Sequence, residues 1–222
     1  GYLKGVREIC DRYGIVMMCD EVMAGFGRCG EWFAVNKWNI TPDLICFAKG
    51  VNSGYVPLGG VVISQKIADS FKDRVYPGGL TYSGHPLACA AAVASINIFK
   101  EEKIVENART IGESVIKPEL VKLKDKHPSV GDVRGLGVFW AVELVRDRAT
   151  RKPLVPFNAT GADNKPMLDF AAACKKNGLW PFTHFNRTHV APPCTVNAEE
   201  IREGIAILDE ALSVADSYYE GK

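Results

Sequence analysis

The chain has 222 residues, 47% of them hydrophobic, which is enough for a sizeable core in one large domain or two modest ones. Lys plus Arg (27) nearly cancels Asp plus Glu (26), so no overall field draws the chain to nucleic acid or to an anionic membrane, and any anion must be captured locally. No signal peptide, membrane span or internal repeat is legible, and seven cysteines without a CxxC pair read as mostly buried thiols in a reducing cytoplasm.

In chain order, "GYLKGVREICDRYG" reads as an amphipathic helix, with residues 6–13 stopped by Gly14. It opens without methionine and in the texture of a domain interior, so an N-terminal part of the natural protein is expected to lie outside this chain. The apolar run "IVMMCDEV" follows and ends in two acids, Asp20 and Glu21. A second run, "LICFAKG", ends at Lys49, and "GGVVIS" (59–64) is a third. Runs apolar on both faces, separated by glycine-rich turns and a helical segment at 65–71, predict an α/β fold with a mostly parallel sheet covered by helices on both faces.

From Pro86 the composition shifts to small residues, and a long helix over 86–100 is predicted, followed by a charged helix to about Lys126. "VGDVRGLGVFWAVELV" (130–145) combines glycine punctuation with strand-like residues. A loop rich in Pro, Asn and Gly (152–165), a helix over 166–176, a short strand region and a helix from Ala198 to about Tyr218 complete the chain. The expected organisation is an α/β portion over 1–101 and a small α+β domain over 102–222.

Taken singly, Asp20 and Glu21 read as solvent-facing acids at a strand end, and Lys49 as a surface lysine. Together, two apolar runs that each end in one functional group and then reach glycine place both groups near the carboxyl edge of one sheet, where open α/β sheets bind ligands. A buried lysine there could form a Schiff base with an aldehyde. A carboxylate opposite it would suit the ring nitrogen of pyridoxal phosphate.

The segments "DEVMAGFGRCGEWFAV", "PDLICFAKGVNSGYVPLGGVVIS" and "LTYSGHPLACAAAVASI" closely resemble the class III (omega) pyridoxal-phosphate-dependent aminotransferases, of fold type I. "VGDVRGLGVFWAVELV" and "VAPPCTVNAEEI" are similar to that family's small domain, so the resemblance covers most of the chain. It implies that Lys49 carries the cofactor and shuttles the proton, that Asp20 binds the pyridine nitrogen and that Val22 packs on one ring face. Thr81, in "TYSG", would reach the phosphate of the cofactor held by a neighbouring subunit, which makes the site one shared across a homodimer. The family's glycine-Ser/Thr phosphate turn and its stacking aromatic residue have no match in the chain.

In "FNRTHVAPP", Arg187 stands close to where such members place the arginine that binds the acceptor carboxylate. The wording of several segments leans toward taurine-type omega-aminotransferases, with a 2-oxo acid such as 2-oxoglutarate or pyruvate as acceptor. Sulfonate and carboxylate are both anions that a guanidinium can pair with, so chemistry leaves the donor open. Two other classes remain open: an aminomutase of the glutamate-1-semialdehyde kind, and a catalytically silent fragment that acts in dimerisation. Arg28 and Arg134 read as arginines that tie loops together, His85 as structural beside a helix-starting Pro86, Trp32 and Phe33 as packing residues. No metal site is predicted.

Overall fold

The computed structural model describes residues 1–221. Its contacts divide the chain into two compact units, Gly1–Glu106 and a second beginning at Asn107.

In the first unit, α1 (Tyr2–Tyr13) ends where Gly14 turns left-handed at φ 64° and donates its N–H to the Cys10 carbonyl. Leu3, Val6 and Cys10, three and four residues apart, lie on one face of this helix and pack with Met17, Val35 and Ile40. Arg7, on α1, reaches Asp43 at 2.9 Å, and Asp43 also accepts the Met17 N–H at 2.8 Å. These two bonds tie the helix to the starts of two strands, β1 (Met18–Asp20) and β2 (Leu44–Phe47).

β1 and β2 pair in parallel, with Met18 opposite Leu44 and Asp20 opposite Cys46. β3 (Gly60–Ile63) joins β2 antiparallel, so the three strands form a mixed sheet in the order β1-β2-β3. Of the apolar run at 15–22, only Met18–Asp20 are paired. A short helix α2 (Gln65–Asp69) follows. α3 (Pro86–Glu101) starts with Pro86 in its first turn after His85 at the N-cap, as predicted, and buries the stripe Ala88, Ala92, Ser95 and Phe99. Trp32 and Phe33 do pack, Trp32 on Phe99 and Phe33 edge-on to Phe26.

α4 (Ile104–Ile111) leads the chain out of the first unit. In the second, a π-helical stretch over Gly112–Ile116 interrupts what the sequence suggested was one charged helix, and α5 (Lys117–Lys126) resumes it. The antiparallel strands β4 (Val130–Leu136), β5 (Phe139–Asp147), β7 (Phe182–His184) and β8 (Arg187–Val190) assemble in the order β4-β5-β8-β7. The two-residue β6 (Lys152–Pro153) pairs with β5. Trp140, Val142 and Leu144 alternate inward along β5 and meet Phe170 of α6 (Lys165–Lys176) and Leu208 and Leu212 of α7 (Ala198–Asp216) in one core. A reciprocal cap starts α7: the Asn197 side chain accepts from the Glu199 and Glu200 N–H groups, and Glu200 accepts the Asn197 N–H. Buried His127, just past α5, is gripped by Asp216 at 2.6 Å and Asp209 at 2.5 Å, both on α7.

Gly112, the first residue of the π-helical stretch, lies against a neighbouring turn. A Cβ on Gly112 would collide with the Gly137 carbonyl, in the turn between β4 and β5, and that carbonyl also accepts the Trp140 Nε1–H at 2.8 Å. Gly112→Ala would gain about 1 kcal/mol of helix propensity at an open position. Here overpacking against fixed backbone costs about 1–3 kcal/mol, so net destabilisation is expected. Urea unfolding checks the sign, and a stabilised variant would refute the close approach.

All seven cysteines are free thiols, but only Cys10 and Cys174 are buried and Cys89 is exposed, a narrower core role than the sequence suggested. Burial pushes the Cys174 thiol up to about 11, so it stays protonated and inert. No helix among the described residues is long and apolar enough to cross a membrane.

Candidate active site

Because β1 and β2 run in parallel and in register, their carboxyl ends open on the same edge of the sheet. Asp20 is the last residue of β1, and Lys49 comes two residues after β2 ends at Phe47. The chain leaves β1 in a tight turn: the Asp20 Oδ1 accepts the Val22 N–H at 2.9 Å, and the Glu21 carbonyl accepts the Gly25 N–H at 2.9 Å. This self-bond fixes one Asp20 oxygen while the residue stays exposed, with Val22 half-buried beside it.

Lys49 opens a 3₁₀ turn, Lys49–Asn52, with its backbone left-handed at φ 47°. The rest of that turn is anchored, since Val51 and Asn52 are buried. Gly50 is required by its neighbour: a Cβ there would stand 2.7 Å from the Phe26 Cβ. The anchored turn holds an exposed lysine whose Nζ reaches across to the Met23 Sδ at 2.5 Å. Lys49 thus touches the very turn that carries Asp20 and Val22.

Thr81 lies in the same unit, exposed in a turn closed by the Ser83 N–H to the Leu80 carbonyl at 3.0 Å, just ahead of α3. Arg187 belongs to the second unit. It is the first residue of β8, between Glu143 of β5 and His184 of β7, on an interior strand of its sheet. Its guanidinium is 3.4 Å from the His184 Nδ1 and 5.5 Å from the centre of the Phe185 ring. Nearby His189 is held below its ordinary pKa, chiefly by burial; the Phe182 carbonyl opposes this, while the charges of Arg187 and His184 add to it.

Arg134 pairs with Asp132 on its own strand β4 at 2.9 Å and with Glu143 on β5 at 2.5 Å, so it ties neighbouring strands rather than loops. Glu21, however, is not a solvent-facing partner of Asp20. It is 2% exposed, and its two carboxylate oxygens accept the N–H groups of Ala34 and Val35, each at 2.9 Å. The only signal in the sequence was an acid directly after a strand-end acid, and its partners lie 13 and 14 residues downstream. Among the described residues, no group of three or more His, Cys, Asp or Glu is arranged to hold a metal.

The residues at the sheet edge suit a cofactor that needs an amine and an anion together. Lys49 offers a primary amine, and Asp20 offers a carboxylate pre-oriented by Val22 at the neighbouring strand end. This is the donor set that pyridoxal phosphate calls for at its aldehyde and its ring nitrogen.

The sequence profile of the family described as Aminotransferase class-III matches residues 1–212. Among curated proteins, the chain is 34% identical to the taurine–pyruvate aminotransferase of Bilophila wadsworthia over 99% of its own length and 49% of that protein. It is 37% identical to the 5-aminovalerate aminotransferase of Pseudomonas aeruginosa over 95% of its length and 47% of that protein. Among solved structures, the taurine:2-oxoglutarate aminotransferase of Bifidobacterium kashiwanohense, in complex with PLP and glutamate, superposes with a TM-score of 0.92 at 42% identity, over 98% of this chain and 48% of that one. The chain spans about half the length of the curated relatives it matches.

Proposed function

Because the chain belongs to the class III aminotransferases, we propose that it serves to move an amino group from an omega-amino donor, taurine or a related omega-amino acid, to a 2-oxo acid such as 2-oxoglutarate or pyruvate, with pyridoxal phosphate as cofactor. Its fold is α/β, of pyridoxal-phosphate fold type I. The observation that carries the proposal is the placement of Asp20 and Lys49 at the carboxyl ends of two neighbouring parallel strands, with the Lys49 Nζ touching the turn after Asp20.

When bound, pyridoxal phosphate supplies an aldehyde and an electron-withdrawing ring. Lys49 contributes the amine that holds the cofactor and carries the proton to and from the reacting carbon at its Nζ. One Asp20 oxygen is committed to the Val22 N–H, and the other is the one offered to the protonated ring nitrogen. Val22 would pack on a face of that ring. Thr81, exposed ahead of α3, would bind the phosphate of the cofactor in a neighbouring subunit, in a homodimer with shared sites. Free thiols throughout support a reducing, cytoplasmic setting.

Arg187 is the proposed ligand for the sulfonate or carboxylate of the substrate. Loss of one charge-assisted contact costs about 1.5–3 kcal/mol, or about one to two powers of ten in kcat/KM. Arg187→Ala is therefore expected to lose efficiency with taurine and 5-aminovalerate and to keep more of it with a neutral aliphatic amine in the first half-reaction. An equal fall for both donor types, or no change, would remove Arg187 from the role. The overall assay measures formation of the amino acid derived from the added 2-oxo acid. No such product, with isomerised donor instead, would point to an aminomutase.

A further inference from the structure

Glu21 stands out in the first unit as a buried acidic side chain that the proposed chemistry does not use. Three separate groups of this one residue are engaged. Its N–H bonds the Cys46 carbonyl at 2.9 Å, the ladder bond that secures the Asp20–Cys46 pair at the end of β1. Its carbonyl accepts the Gly25 N–H at 2.9 Å and closes the turn that holds Val22 and Met23. Its carboxylate takes the Ala34 and Val35 N–H groups at the start of the 3₁₀ turn Ala34–Trp38.

That turn is itself fixed. Ala34 and Val35 are buried, and the Asn36 side chain accepts the Phe33 N–H at 3.1 Å, so Glu21 is moored to packed backbone rather than to a mobile side chain. Both oxygens of the buried Glu21 side chain are thus engaged by backbone N–H donors of that turn. Asp20 is joined to this anchor by one peptide bond, and the only described constraint on its side chain is the bond from Val22, inside the same turn.

We infer that Glu21 is a positioning residue: by mooring the 20–25 turn to the 3₁₀ turn at 34–38, it sets the direction in which Asp20 presents its second oxygen to the cofactor's ring nitrogen. The inference rests on the proposed role of Asp20. Glu21 itself touches neither cofactor nor substrate. Exchanging it for glutamine keeps the volume but turns an NH₂ group toward one of two backbone N–H donors, so the mooring is lost on one side and the turn shifts. A displacement of about 1 Å at a catalytic group can cost on the order of a hundredfold in rate.

The test compares wild type, Asp20→Asn and Glu21→Gln holoenzyme loaded with pyridoxal phosphate labelled with ¹⁵N in the ring. The ring-nitrogen chemical shift reads the Asp20 contact directly, and the thermal unfolding midpoint reads stability. The expected result is that Glu21→Gln moves the shift in the same direction as Asp20→Asn by a smaller amount, with kcat down about tenfold to a hundredfold and KM little changed. Should Glu21→Gln fail to fold, Ala34→Pro removes one of the two donors at a first-turn position that tolerates proline, and the same partial shift is expected. If Asp20→Asn moves the shift while Glu21→Gln and Ala34→Pro lower only the unfolding midpoint, Glu21 is purely structural and the inference is overturned. If Asp20→Asn itself leaves the shift at the wild-type value, the role given to Asp20 fails, and the inference falls with it.

Discussion

Lys49→Ala is expected to abolish transamination while leaving the fold in place. Proton transfer by a positioned side chain alone accounts for about 10²–10⁴-fold in rate, and the same substitution removes the amine that would hold the cofactor. The structure separates this chemistry from stability: the Lys49 side chain is exposed and extends to the Met23 sulfur, whereas Val51 and Asn52 anchor the turn from below. Alanine keeps those anchors, and it also keeps the small Gly50 against Phe26. Steady-state kinetics, the visible absorbance of bound cofactor and a thermal melt together decide the case. Near-normal turnover would end the assignment of Lys49, and inactivity with global unfolding would make it a structural lysine.

Asp20→Asn is expected to lower kcat by about 10²–10³-fold, the scale on which losing one preorganised electrostatic partner acts. An asparagine oxygen can still accept the Val22 N–H, so the turn should persist. Its other arm is then an NH₂ donor aimed where a protonated ring nitrogen also donates. Retention of cofactor should change far less, because the amine at Lys49 is untouched. Stopped-flow measurement of the two half-reactions gives the answer, and equal rates in wild type and variant would show that Asp20 does not face the ring.

The parts of this molecule that were legible in the sequence are those governed by local rules. Gly14 stops α1 and Pro86 starts α3, both from signals within a few residues. Asp20 and Lys49 stood out because each closes an apolar run. What escaped was set by segments distant in the chain. The direction of β3 depends on how its connection returns, which hydrophobic pattern does not encode. The need for glycine at 112, in the π-helical break, is set by a turn 25 residues later, at Gly137. Glu21 looked like a twin of Asp20 because its side-chain partners are backbone amides, which carry no residue-type signature. The spread of Thr81 and Arg187 over other segments could be guessed only through resemblance, since neither closes a run of its own.

The left-handed backbone at Lys49 has an evolutionary corollary. For any residue with a side chain, that conformation costs about 1–2 kcal/mol relative to the ordinary helical region, and glycine escapes the penalty. Selection for robustness alone would drift toward "CFAGG" at this position. Given the proposed role of Lys49, a stabilising Lys49→Gly exchange would remove the reacting amine together with the strain.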